Sequence, residues 1–261
     1  MTLTNEPPAA ASEGARRLSL ADIAAILRAG LSDFAAAPQF GLFFSAVYVA
    51  LGLGLWQLGA GLFVWTLTAT LAFPMMAPFL AVGLYEVSRR REAGERPTFE
   101  AVLGVVWRQS ERQIPWAGAV ILIYTLFWSF LAHMLFALFM GPSAMMGPPG
   151  DLATYLSGDG LRMIAVELAV GAVLAFLLFA LTAVSLPMLL DREVDFVTAM
   201  RRSVRLVRAN PAVMLVWAAI IAAATFLAML PAFLGLFVVL PVLGHASWHL
   251  YRRADQLGAL G

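Results

Sequence analysis

The sequence predicts an all-α membrane protein of about six transmembrane helices in three repeats, each preceded by a cytoplasmic interfacial amphipathic helix. Three observations carry that expectation. Hydrophobic residues make up 61% of the 261 residues and charged residues only 13%, with a mean hydropathy of +0.84. A soluble domain carries about a quarter charged residues, so too few polar side chains remain to coat a core of this size. Apolar runs long enough to cross a bilayer recur along the chain, and the arginines gather between alternate runs.

Residues 1–18 hold two prolines, several small residues and no apolar stretch. They read as a disordered cytoplasmic tail rather than a secretory signal, which needs an apolar core after its basic region. Targeting then falls to an uncleaved first span.

A crossing takes about 20 apolar residues. The segments 39–58, 115–140, 161–190, 211–230 and 232–251 meet that need, the last two divided by Pro231. The stretch 59–88 is longer than one span and is interrupted by Pro74 and Pro78. It reads as the second span with a kinked or broken outer part; a re-entrant piece over 59–73 is the alternative.

All seventeen basic residues are arginine. Six spans leave 1–38, 89–114, 191–210 and 252–261 on one side, and those segments hold every arginine except Arg162. The positive-inside rule therefore puts both termini in the cytoplasm of a bacterial inner membrane.

Three of these segments carry helix-period apolar stripes. The first sets Leu20, Ile23, Leu27, Leu31 and Phe34 against Asp22, Arg28 and Asp33. The second sets Phe99, Val102, Val106 and Trp107 against Glu100, Arg108, Glu111 and Arg112. The third sets Phe196, Met200, Val204 and Val207 against Arg201, Arg202, Arg205 and Arg208. Ser19, Thr98 and Asp195 stand where N-caps are wanted, and Ser19 with Asp22 fits a capping box. Helices this short and charged suit the headgroup layer, the third facing anionic lipid.

Amphipathic helix, X-Pro turn, span and span thus occur three times, over about 19–92, 97–193 and 194–253, before a short tail at 254–261. The turns are Ala37-Pro38, Ile114-Pro115 and Asn210-Pro211. PFLAVGLYEVSRR from Pro78 aligns with PVLGHASWHLYRR from Pro241, which matches Tyr85 to Trp248 and Glu86 to His249. The three units share one orientation, so their pseudo-symmetry axis would lie along the membrane normal.

GLYEVSRRREAGE at 83–95, LLDREVDFVTAMRRSV at 189–204, the Asn210-Pro211 turn and LPAFLGLFVVLPVLGHASWHLYRR at 230–253 resemble a bacterial family of predicted integral membrane proteins, domain of unknown function 2189. The resemblance covers roughly residues 25–253. It implies a multi-span inner-membrane protein and no activity.

Ionisable residues inside spans are costly and hence functional suspects. Glu167 lies about 9 Å and His133 about 10 Å from the outer ends of consecutive spans, at 1.5 Å per residue. At that shared depth a His–Glu pair could relay protons or hold a cation; a structural hydrogen bond or snorkelling is the plainer reading. Glu86, His245 and His249 form a second polar group near the cytoplasmic ends. His245 and His249 are four apart and share a face, but two ligands do not make a metal site. Glu86 can pair with Arg89 or Arg90 at helical spacing. Met134, Met140, Met145 and Met146 gather with His133 at the outer side, where thioethers would suit Cu(I) or serve as packing.

Cysteine is absent, which excludes disulfides and thiolate metal ligation. No Walker A sequence, dinucleotide turn, nucleophile elbow or H-E-x-x-H occurs. Neither an enzyme activity nor a cofactor is expected. The expected partners are the lipid bilayer and another inner-membrane protein or complex, not nucleic acid. Arg89, Arg90, Arg201, Arg202, Arg205, Arg208, Arg252 and Arg253 are the candidate headgroup contacts. The function expected is a non-catalytic scaffold, assembly or regulatory component of the membrane. A small carrier or channel for a lipid, metabolite or ion is the alternative.

Overall fold

The computed structural model describes residues 17–59, 62–141, 155–156 and 158–260. Ten helices of at least seven residues are found among them, and no strand. They are α1 (Leu20–Ala36), α2 (Pro38–Gln57), α3 (Leu62–Glu92), α4 (Phe99–Gln109) and α5 (Ile114–Met140), followed by α6 (Gly158–Thr182), α7 (Ser185–Asp191), α8 (Phe196–Ala209), α9 (Pro211–Met229) and α10 (Leu236–Gln256). Four stretches are long and apolar enough to cross a membrane: α2, α5, α6 with α7, and α9.

The expected caps form. Ser19 Oγ accepts from the Asp22 N–H while the Asp22 carboxylate accepts from the Ser19 N–H. The Thr98 and Asp195 side chains accept from the Ala101 and Thr198 N–H groups. Two of the X-Pro turns are the same elbow. Ala37 (φ −143°, ψ 56°) and Asn210 (φ −131°, ψ 51°) each precede a proline at the first position of the next helix. Each also sends its N–H to the carbonyls three and four residues back. A pre-proline residue resists the α conformation, so the helix ends there and the chain turns. The middle turn differs. The Ser110 hydroxyl donates to the Trp107 carbonyl and α4 ends early, with a turn over 110–113 before α5. Such side-chain bonds compete with the helix ladder.

The prolines act differently from expectation. α3 is one unbroken helix through Pro74 and Pro78, not a broken span; the neighbours of a membrane helix help to tolerate proline. The start of the re-entrant alternative falls partly on 60–61, outside the described residues. The break comes instead between α6 and α7, in the stretch expected as the fourth span. Pro187 has no N–H for the Ala183 carbonyl and its ring would crowd it, so α6 stops at Thr182 and α7 restarts at Ser185. The Val184 N–H freed at this break donates to Ser203 Oγ of α8 at 3.3 Å.

Two prolines seat against glycines of neighbouring spans. A Cβ on Gly41 would lie 2.7 Å from Pro241 Cβ, and one on Gly118 would meet Pro78 Cγ at 3.6 Å. Both glycines stand three residues after the elbow proline, in PQFG and PWAG.

The core sits at the arginine-rich end. Ile23 and Ile26 of α1, Val82 and Tyr85 of α3, Leu186, Met188, Leu189 and Leu190 of α7, Leu206 of α8, Trp217 of α9 and Trp248, Leu250 and Tyr251 of α10 share one buried cluster. α1 packs along α10, which also contacts α2 and α3; α3 packs on α5, and α5 on α6. Away from that end the spans open. Only 6% of the most apolar window of α5 is buried, and 6% of that spanning α6 and α7. Phe127, Phe130, Leu168 and Val173 are exposed there. A smaller cluster of Val49, Ala228 and Leu236 closes the opposite end of α2, α9 and α10.

Three boundaries shift. α1 buries Ile23, Ile26, Gly30 and Asp33 against its neighbours, while Leu20 and Leu31 of the expected stripe stay exposed. The packed face is thus rotated, because the close crossing with α10 selects the glycine. On α4, Val102 and Val105 are buried and Trp107 is exposed. Packed chain also reaches further than the expected tails: Leu18 is buried with its N–H on Asn210 Oδ1 at 2.9 Å, and Ala254 and Leu260 are buried. Residues 1–16 of the expected tail lie outside the described residues.

Candidate functional site: the ionic network at the arginine-rich end

Asp33 is the hub. Helix α1 crosses α10 so closely that a Cβ on Gly30 would sit 2.6 Å from the Val242 carbonyl oxygen. That crossing sets Asp33, one turn on, beside α3 and α10. Arg91 Nε donates to Asp33 Oδ1 at 2.8 Å, and His249 Nε2 lies 2.8 Å from Oδ2. Burial alone would raise the Asp33 pKa. Hydrogen bonds from His249, Arg91 and Ser88 outweigh it and hold the carboxyl at about 2.

Ser88 extends the chain inward. Its hydroxyl lies 2.8 Å from His245 Nδ1. An ionised Asp33 only accepts, so Ser88 donates to it and His245 Nδ1–H donates to Ser88. His245 Nε2 is fully buried and has no hydrogen-bond partner among the described residues.

The remaining bonds tie helix ends together. Glu86, fully buried, accepts from Arg89 Nε at 2.7 Å and Arg90 Nε at 2.6 Å. Glu92 accepts from Arg252 Nε at 2.9 Å and from the Trp248 indole at 3.0 Å. Arg253 Nε reaches Asp22 at 2.7 Å. Burial works against the Asp22 charge, but bonds from Ser19 and Arg253 win and lower its pKa. Tyr251 donates to Asp191 at 2.7 Å, and Arg192 holds both oxygens of Asp255 at 2.6 and 2.7 Å. Arg112 pairs with Glu193.

The candidates from sequence therefore separate. Glu86 makes the local pairs expected of it. His245 and His249 do not converge on a common ligand: one turns to Ser88 and the other to Asp33. Among the described residues no group of three His, Asp or Glu side chains could hold a metal ion. Arg89, Arg90, Arg252 and Arg253 meet carboxylates of this chain rather than facing headgroups alone. Arg201, Arg202 and Arg208 have no carboxylate partner among the described residues.

At the other end His133 is exposed and its Nδ1 lies 2.6 Å from the Ser129 carbonyl of its own helix. Glu167 is half-buried and within electrostatic reach of it. The Thr125 hydroxyl also turns back, donating to the Ile121 carbonyl. Met134 is exposed; Met145 and Met146 lie outside the described residues.

Sequence reasoning missed the roles of Asp33, Ser88 and Arg91, and it named Asn210 for its turn but not for the bond to Leu18. Asp33 reads as solvated-face filler by helical period, and its two partners lie 58 and 216 positions away.

This geometry is that of a packed, charge-tied bundle end. No curated protein and no solved structure matches the chain. The family match begins within α3 and ends with α7; it takes in the whole motif at 83–95 and stops short of the motif at 230–253. Residues 64–191 carry the signature of DUF2189, a family of predicted integral membrane proteins, and with its several candidate spans the chain is a multi-pass integral membrane protein.

Proposed function

We propose that the protein is a non-catalytic scaffold, assembly or regulatory component of a bacterial inner membrane. Its three repeats cross the bilayer six times, with both termini and the ionic network in the cytoplasm. The arginine distribution supports the orientation. The paired elbows at Ala37 and Asn210 and the proline-on-glycine seats at Pro241–Gly41 and Pro78–Gly118 support the repeat. In each seat an even-numbered span of one repeat meets an odd-numbered span of another, as a pseudo-rotation about the membrane normal requires.

The observation that carries the scaffold reading is the scattering of the polar groups Thr125, His133, Glu167 and Ser185 along α5, α6 and α7. Thr125 and His133 bond back to their own helix, Glu167 has His133 beside it, and Ser185 is buried at the α6–α7 break. None of them lines either of the two cavities described. A carrier needs such groups to converge on a path. The bare outer faces of α5 and α6 instead offer a broad apolar surface to lipid or to a spanning partner.

Photocrosslinking amino acids at Phe130 and Leu168, in intact cells, test this. A single discrete protein adduct from both positions is the expected result. Lipid adducts alone, together with an ion or metabolite flux in reconstituted vesicles that His133→Ala or Glu167→Gln abolishes, would replace the scaffold with a carrier.

A further inference from the structure

Helix α8 leaves a groove of about 550 Å³ where it meets the ends of α5 and α6. Its floor is apolar: Val120 from α5, Leu181 from α6, and Met200 and Val204 from α8. Its rim is basic. Arg201, Arg205 and Arg208 line it at i, i+4 and i+7, one face of one helix. No carboxylate lines the groove. Arg201 and Arg208 thereby differ from the arginines of the ionic network, which meet carboxylates of this chain. Arg201 and Arg208 in particular have no such partner among the described residues.

A cationic rim above an apolar floor fits a molecule with a negative head and a hydrocarbon tail. Guanidinium groups take phosphate oxygens with charge-assisted, often bidentate hydrogen bonds. Val120 lies five residues beyond Pro115, and Leu181 is next to last in α6, so the floor belongs to the ends of two spans. The polar-to-apolar step of the groove then coincides with that of the bilayer. We propose that this groove is a binding site for an anionic phospholipid, whose phosphate is held by Arg201, Arg205 and Arg208 and whose acyl chain lies over Val120, Leu181 and Val204. The proposal rests on the interfacial placement of α8 given above and is independent of the scaffold reading. Lipid bound there wedges α8 against α5 and α6, so the site would couple leaflet composition to the packing of the middle repeat.

The test is native mass spectrometry of the full chain in mild detergent, titrated with phosphatidylglycerol, phosphatidylcholine or inorganic phosphate. Phosphatidylglycerol adducts should persist where phosphatidylcholine is lost. Arg201→Gln, Arg205→Gln and Arg208→Gln should each weaken them about fivefold, the effect of one arginine beside an anionic headgroup. Leu181→Trp, which fills the floor and keeps every charge, should weaken them too. Arg162→Gln, outside the groove, should not. Equal retention of both lipids, or arginine variants that bind as the parent does, would overturn the site. Competition by inorganic phosphate at the concentration of the lipid would overturn it as well, in favour of a site for soluble phosphate.

Discussion

His249 Nε2 and the Asp33 carboxylate, 2.8 Å apart, join α10 to α1 across 216 positions of sequence. Arg91 of α3 reaches the other oxygen of the same carboxylate. One side chain on α1 thereby fixes the relative positions of α3 and α10, the two helices whose sequences align most closely.

Asp33→Asn should destabilise the protein by about 2 kcal/mol, because the carboxyl is held near 2 against an ordinary value of 3.8. The sign follows from the depressed value. The contribution is complete above about pH 4 and is lost as pH falls towards 2. Thermal unfolding in detergent should show a steep acid limb in the parent and a shallower one in the variant. Parallel limbs would contradict the assignment.

Gly30→Ala should force α1 away from α10, since its Cβ would meet the backbone at Val242 and Ala246 within 2.6 and 2.7 Å. Overpacking of that kind costs about 1–3 kcal/mol. Gly54→Ala, where a Cβ meets nothing within 4 Å, is the control and should be neutral or slightly stabilising. Equal melting temperatures for the two variants would show that the crossing is not this tight.

Glu86→Gln leaves two guanidinium groups facing an uncharged amide in a fully buried position. A loss of about 1–3 kcal/mol is expected, larger than for an exposed pair. Arg112→Gln, which breaks only the exposed pair with Glu193, should change stability by less than about 1 kcal/mol. A reversal of that order in a chemical or thermal melt would count against the network as the structural tie.

His133→Ala and Glu167→Gln should each shift the unfolding free energy by less than about 1 kcal/mol, because both groups lie outside the packed core. A large loss in either would mark a packed partner that the isolated chain lacks.

The helices and their starts were legible because local rules govern them: apolar length, N-cap chemistry at Ser19, Thr98 and Asp195, and proline at the elbows. Glu86 was legible for the same reason, since its partners lie three and four residues on. The network was not. Asp33 looked like part of a solvated face, and nothing in its neighbourhood names Arg91 or His249. The rotation of the packed stripe on α1 was hidden too, because periodicity counts apolar side chains while the crossing is set by Gly30, which has none. Pro187 illustrates a third limit. Proline announces a lost hydrogen bond, but whether the helix breaks depends on a substitute partner such as Ser203, contributed by a different helix.

The central claim is that three repeats cross the membrane six times with the ionic network on the cytoplasmic side. The chain has no cysteine, so single cysteines can be read without background. Replace Leu58, Asp159 and Pro231 on one side, and Glu95, Glu111 and Asp255 on the other, then label intact cells with a membrane-impermeant maleimide. Labelling of the first three in intact cells, and of the second three only after lysis, is the predicted result. Labelling of Glu95 or Asp255 in intact cells, alongside Leu58 and Pro231, would mean that α3 or α10 does not cross and would contradict the three-repeat arrangement.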